Sequence, residues 1–178
     1  NYFQEEMGDS VSVEIVEFSS GKDVNTALAA GSIDFGLEGS CPASLAIAQD
    51  LGVELIWIHE VLGDVESLVA KGTSGINTVA DLKGKKVAVP FASTAHFSLL
   101  KAMENAGLSA SDVTVLDMQP DKIYASWNSG DIDAAYIWEP TLSQLSNKKT
   151  VIISGELAKA GYMTSNVEVV RTKFAEAH

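Results

Sequence analysis

The chain of 178 residues carries 24 acidic against 12 basic side chains, a formal net charge of -12, with 46% hydrophobic content. That balance excludes nucleic acid and anionic membrane surfaces as partners, since both demand basic patches, and no apolar stretch is long enough to cross a bilayer. Residues 1–7 lack the basic-then-apolar pattern of a secretory leader, which leaves a cytosolic chain or one whose targeting segment has been removed, and the single Cys41 allows no intrachain disulfide.

In chain order, segments of period 2 and period 3.6 alternate, as in a sheet covered by helices. Residues 10–18 (SVSVEIVEF) alternate as a strand, 22–30 form a short amphipathic helix closed by Gly31, and 33–39 form a second strand. An Ala-rich helix follows to Leu51, with Pro42 in its first turn, where a missing N–H is no loss. Residues 53–62 (VELIWIHEVL) read as a buried strand and 66–71 (ESLVAK) as another. A short helix capped near Thr78 precedes the strand KKVAVP, and residues 93–106 form a helix ended by Gly107. Strand 113–118, helix 121–128, strand 133–137, helix 140–145, strand 150–154 and a last strand SNVEVV follow, with a further helix beginning at 172. The opening NYFQEEMG reads as the back half of a helix, so both ends are expected to be cut.

Two strand-to-helix turns carry the chemistry. In EGSCPASLAIA (38–48) and VPFASTAHFSLLKAM (89–103), small hydroxylated residues stand where an apolar strand has just ended and a helix begins. The first N–H groups of a helix lack intrahelical partners and carry the positive end of its dipole, so an anion placed there gains hydrogen bonds and charge stabilisation together. Glu38, Gly39, Ser40 and Cys41 form the first turn, and Ser93, Thr94 and His96 the second. Each Ser or Thr alone is an ordinary N-cap; two such turns about 50 residues apart suggest a shared ligand. Trp138, beside Pro140, is placed either to stack on a ligand or to pack in a hinge. His96 is either an anion donor or a local hydrogen-bond partner. Cys41 has no neighbouring base and reads as a small residue at the turn, and Asp131 and Asp133 read as solvated caps. His59 reads as a satisfied core or rim residue. The three His and one Cys are scattered, so neither a metal site nor a cofactor is expected.

The order GxxGSxPxxxA, LGxxESLVxK, TxxDLKGKKVAVPFxSTxHxSLLxA, WxxGDIDAAYxWxP and VVRxxFAE resembles the solute-binding proteins of ABC importers, in particular the taurine-binding branch of the nitrate/sulfonate/taurine group, over residues 21–176. The resemblance implies a two-lobed periplasmic-binding-protein-like (type II) α/β fold with mixed sheets and an incomplete first lobe. Residues 1–65 plus 162–178 would form lobe 1 and 66–161 lobe 2, hinged to close on a ligand. It implies a binding protein rather than an enzyme, in the periplasm or held at the cell surface as a lipoprotein. Its partners would be a small sulfonate and a membrane permease. A monomer is expected, with a swapped or paired form as the alternative for a shortened chain. The two turns become opposite jaws on a sulfonate.

At one position the chain departs from the branch. The resemblance implies an Asp, able to pair with the ligand's ammonium, on the strand before VVR, and the aligned residue here is Asn166. A charge-assisted hydrogen bond contributes roughly 1.5 to 3 kcal/mol, so either another carboxylate replaces it or the ligand lacks an amine. Glu38, Glu66 and Glu139 are the candidates, Glu139 also reading as an acid in a helix first turn. Two other readings of the fold remain: an enzyme like the pyrimidine-precursor synthases of thiamine biosynthesis, and a ligand-sensing domain.

Overall fold

The computed structural model describes residues 5, 6, 8 and 11–178. The expected helical opening and the first residue of the 10–18 strand lie largely outside the described residues. From Phe35 onward the alternation of elements expected from the sequence is present, arranged as two sheets.

The smaller sheet has the order β1 (Phe35–Gly39), β8 (Ser165–Arg171), β2 (Val53–Val61), with β8 antiparallel to both neighbours. Its register sets Asn166 opposite Gly39 on one side and opposite Glu60 on the other. One face is covered by α1 (Gly21–Ala30) and α2 (Ser40–Ala48), which bury Val24, Leu28, Ala43 and Ala46 against Val53, Val167 and Val169. Helix α1 ends as the sequence requires, with Gly31 in the left-handed region at φ 71°.

The larger sheet has the order β5 (Thr114–Asp117), β4 (Lys86–Val89), β6 (Ala134–Trp138), β3 (Glu66–Lys71), β7 (Lys148–Ile153). It is mixed: β4 runs parallel to β5 and β6, while β3 runs antiparallel to β6 and β7. Both faces are covered, which explains the near-continuous apolar runs of its central strands. Leu68, Ala70, Val87, Val89, Ala134 and Tyr136 face α3 (Thr94–Asn105) and α6 (Ser154–Lys159). The alternate residues Val69, Ala88, Ala135 and Ile137 face α4 (Pro120–Ser129) and α5 (Thr141–Gln144). A one-turn 3-10 helix, Val79–Leu82, starts at Thr78, where the sequence places its cap, and Asp81 accepts the Thr78 N–H at 2.8 Å and its hydroxyl at 3.0 Å; α7 (Thr172–Ala175) follows β8.

Three expectations are corrected. Residues 11–18 run as irregular chain outside the three-stranded sheet. Alternation marks a segment able to pair on one face, but a strand exists only where a neighbour offers its backbone. Residues 53–61 do form a strand, yet only Val53 is buried, with Leu55, Ile56, Trp57 and Ile58 all exposed. The apolar run reads as a two-sided buried strand, whereas β2 is the edge of its sheet. His59, read as a core or rim residue, is likewise exposed, edge-on to Trp57 at 5.2 Å, which corrects the core half of that reading and leaves the rim. Helix α6 is additional to the expected elements; its signal is SGELAK, helix formers with Glu156 accepting the Ile153 N–H at 3.1 Å.

The two sheets set different prices on apolar truncation. Leu99→Ala, at a fully buried position on α3, is expected to lower the unfolding free energy by about 2–5 kcal/mol. Ile58→Thr, on the exposed edge strand, is expected to change it by less than about 0.5 kcal/mol. Urea unfolding curves of the two variants check this; comparable losses would place β2 in a core.

Candidate functional site

The two sheets border a cleft of ≈ 380 Å³. Glu38 and Gly39 reach it from the end of β1, Glu60 from β2 and Asn166 from β8; Glu66 reaches it from the start of β3, Ser93 and Thr94 from the start of α3, and Trp138 and Glu139 from the end of β6. Ser20 and Gly21, at the start of α1, also border it. The sequence signal for this third helix start was present in FSSGKD, a Ser-Ser-Gly before an amphipathic helix, but nothing in sequence placed it beside the other two. Of the ligand-binding candidates singled out by sequence, Glu38, Gly39, Glu66, Ser93, Thr94, Trp138, Glu139 and Asn166 line the cleft, and Ser40, Cys41 and His96 are not in its lining.

Glycine permits this convergence. A Cβ on Gly39 would come within 2.8 Å of Thr94 Cγ2, and a Cβ on Gly21 within 2.5 Å of Pro42 Cγ. Both distances are shorter than real Cβ atoms tolerate, so α1, α2 and α3 start close together only because these two positions lack side chains.

The hydroxyls at the turns are already engaged. Ser93 donates to the Pro90 carbonyl at 2.6 Å and accepts the His96 N–H at 3.1 Å, capping α3. Ser40 Oγ accepts the Ser165 N–H at 3.2 Å, tying α2 to β8. Thr94 Oγ1 donates to Glu66 Oε2 at 2.5 Å, and Ser154 Oγ donates to Glu66 Oε1 at 2.7 Å, with Tyr136 OH 3.0 Å from the same Ser154 hydroxyl. What the helix starts can offer a ligand is therefore backbone N–H and dipole.

His96 stacks on Phe91 with ring centroids 4.3 Å apart, and its Nδ1 accepts the Ala92 N–H at 3.3 Å. Burial lowers its pKa, with the nearby Asp117 opposing, so at neutral pH it is a neutral local partner rather than a cation. Burial pushes the Cys41 thiol up to about 11, with the Glu66 charge adding and a hydrogen bond from Ser40 opposing, which leaves it an inert thiol. Asp133 Oδ2 accepts the Lys86 N–H at 2.9 Å, tying the approach to β6 to the start of β4, and Asp131 accepts from the Ser129 hydroxyl, so neither is the cap expected from sequence. Among the described residues no group of three or more His, Cys, Asp or Glu could hold a metal ion.

Four carboxylates line the cleft, those of Glu38, Glu60, Glu66 and Glu139, while no Lys, Arg or His does so among the described residues. They are not equivalent. Glu139 accepts the Ser143 N–H at 2.9 Å and the Ser143 hydroxyl at 2.7 Å, capping α5, which is the first-turn role read from sequence. Glu60 accepts from Asn166 Nδ2 at 2.8 Å. Glu66, 1% exposed, holds the two hydroxyl bonds above; burial raises its pKa and the Thr94 and Ser154 donors partly offset this. Glu38 is 5% exposed and neither of its oxygens has a hydrogen-bond partner among the described residues. Burial alone pushes its carboxyl up to about 8.

A family model described as NMT1/THI5 like matches residues 1–178. The chain belongs to the NMT1/THI5-like family. The taurine-binding periplasmic protein of Escherichia coli strain K12 is 39% identical over 179 residues, covering 100% of this chain and 55% of that protein. Among solved structures, the alkanesulfonate-binding protein SsuA from Xanthomonas axonopodis pv. citri bound to MOPS superposes with a TM-score of 0.87 at 28% identity, covering 99% of this chain and 61% of that one. The periplasmic aliphatic sulphonate binding protein SsuA from Escherichia coli gives 0.82 at 28% identity, covering 99% and 60%. The chain spans about half the length of the curated relatives it matches. Its architecture is periplasmic-binding-protein-like, α/β with mixed sheets, and the named relatives are binding proteins rather than enzymes.

The buried carboxyls make stability depend on pH. Glu38 holds its proton more tightly folded than unfolded, so the stability it contributes is fully present below its ordinary value of 4.5 and is lost as pH rises through about 8. Glu66 acts in the same direction. The melting temperature is expected to fall between pH 5 and 8, and Glu38→Gln to flatten that fall while leaving the Glu66 part. Parallel pH profiles for parent and variant, by differential scanning calorimetry, would contradict the burial of Glu38.

Proposed function

We propose that the chain is the solute-binding part of an ABC importer and takes a small organosulfonate, taurine or a relative of it, outside the cytoplasm for delivery to a membrane permease. The observation that carries this reading is the meeting of three helix N-termini, those of α1, α2 and α3, at one cleft with no basic side chain in its lining among the described residues. A sulfonate presents three acceptor oxygens and a permanent charge, and backbone N–H groups at helix starts satisfy both without a titrating partner. The names of the similar proteins, taurine-binding and alkanesulfonate-binding, support the same ligand class.

The lobes proposed are residues 1–65 with 162–178, holding the three-stranded sheet, and residues 66–161, holding the five-stranded sheet. On this division α1 and α2 belong to one wall and α3 to the other. A sulfonate bridging them gains its full donor set only when the walls approach, so ligand binding favours the closed arrangement. Trp138, half-buried at the end of β6, contributes an aromatic face beside the anion site. The acid end of the ligand lies against the first turns of α2 and α3.

A thermal-shift screen with taurine, ethanesulfonate, nitrate, amino acids and pyrimidines tests this. The sulfonates are expected to raise the melting temperature, since a ligand at 100 times its Kd stabilises by about 2.7 kcal/mol. Stabilisation by a pyrimidine alone would overturn the sulfonate reading in favour of the enzyme-like one. Gly39→Ala, whose new Cβ would push against Thr94, is expected to diminish the sulfonate shift; an undiminished shift would place the anion elsewhere.

A further inference from the structure

The cleft has a second chemical demand that sulfonate binding does not meet. Helix starts favour an anion, yet the same lining carries four carboxylates and no side-chain cation among the described residues. A ligand bearing only negative charge brings nothing that can pair with these groups; one that also carries a cation does.

Elimination identifies which carboxylate receives that cation. Glu139 is occupied with the start of α5, and Glu66 with Thr94 and Ser154. Glu60 is exposed and holds the Asn166 amide, so the side chain at the position where the family resemblance implies an ammonium partner is turned to another residue of the chain. Glu60 is engaged through Oε1 alone and stands open to solvent, so of the four only Glu38 is a buried carboxyl with neither oxygen hydrogen-bonded among the described residues. It lies on the helix-covered face of β1, one residue before Gly39. Its Oε2 lies 3.0 Å from the position a Cβ on Gly21 would take, which directs the carboxyl to the start of α1 at the edge of the cleft.

We infer that Glu38 is the residue that selects for an amine on the ligand, its carboxylate accepting the protonated amine of a short zwitterionic aminosulfonate whose sulfonate lies at the α2 and α3 helix starts. This rests on the sulfonate reading above and adds to it the second end of the ligand. Glu38 lies beside Asn166 in the same ladder: it precedes Gly39, which faces Asn166 across β1 and β8. The buried carboxyl that burial pushes up to about 8 gains in the amine a partner that the described residues do not provide. Glu66 is left a positioning role, holding Thr94 and with it the first turn of α3.

Isothermal titration of the full chain with taurine (2-aminoethanesulfonate) and with ethanesulfonate, which lacks only the amine, tests the assignment. The parent protein is expected to prefer taurine by more than tenfold, Glu38→Gln to bring the two affinities within about threefold of each other, and Glu38→Asp to restore part of the preference. A preference that survives Glu38→Gln would place the amine elsewhere, and equal affinities in the parent would mean that no amine site exists; either overturns the assignment and leaves the sulfonate reading standing. If neither sulfonate binds the parent, the sulfonate reading fails and the assignment with it. Should Glu38→Gln not fold, the carboxyl carbon-13 resonance of Glu38 in the parent decides: taurine is expected to move it to the ionised position and ethanesulfonate to leave it, and no response to taurine overturns the assignment.

Discussion

The close approach of three helix starts at Gly21, Gly39 and Thr94 is the constraint on which the cleft depends. Nothing basic lines the cleft among the described residues, so whatever positive potential it offers comes from backbone N–H groups and helix dipoles. Such potential falls off within a turn of the helix, which makes the spacing of the starts as consequential as their presence. Two glycines set that spacing, since a Cβ at either would meet a neighbour's side chain at 2.8 Å or less. Around them, Ser93, Ser40 and Thr94 spend their hydroxyls on locking the turns in place.

Burying carboxyl groups in such a place is the other half of the design. An uncompensated buried charge is destabilising, and proteins meet this by hydrogen bonding or by keeping the proton. Both responses occur in the lining of this one cleft. Glu66 is held by two hydroxyls and becomes part of the scaffold, linking α3 to α6 through Thr94 and Ser154. Glu38 has no such support among the described residues, and burial favours its protonated form. The same residue type thus serves the fold at one position and is left for a ligand at the other.

Much of this was written in local sequence. Ser93 before Thr94, Thr78 with Asp81 three residues on, and Gly31 after an amphipathic turn each mark a helix boundary because the signal and its effect lie within one turn. The two Ser turns were visible for the same reason, and so was the cap role of Glu139. What could not be read was anything set by neighbours distant in sequence. The apolar run of β2 reads as buried, yet its burial depends on what covers the sheet, and its side chains are exposed. Residues 11–18 alternate like a strand without entering one. The Thr94–Glu66–Ser154 network joins residues 28 and 88 positions apart, and the start of α1 reaches the cleft only through the packing of Gly21 on Pro42. That Asn166 is held by Glu60 while Glu38 is left alone follows from cross-strand register, which composition does not encode.

The most direct test of the central claim is a crystal structure of the chain with taurine bound. The account predicts sulfonate oxygens at about 2.7–3.2 Å from backbone nitrogens in the first turns of α2 and α3, with the amine against Glu38. A sulfonate held by lysine or arginine side chains outside this cleft would contradict it.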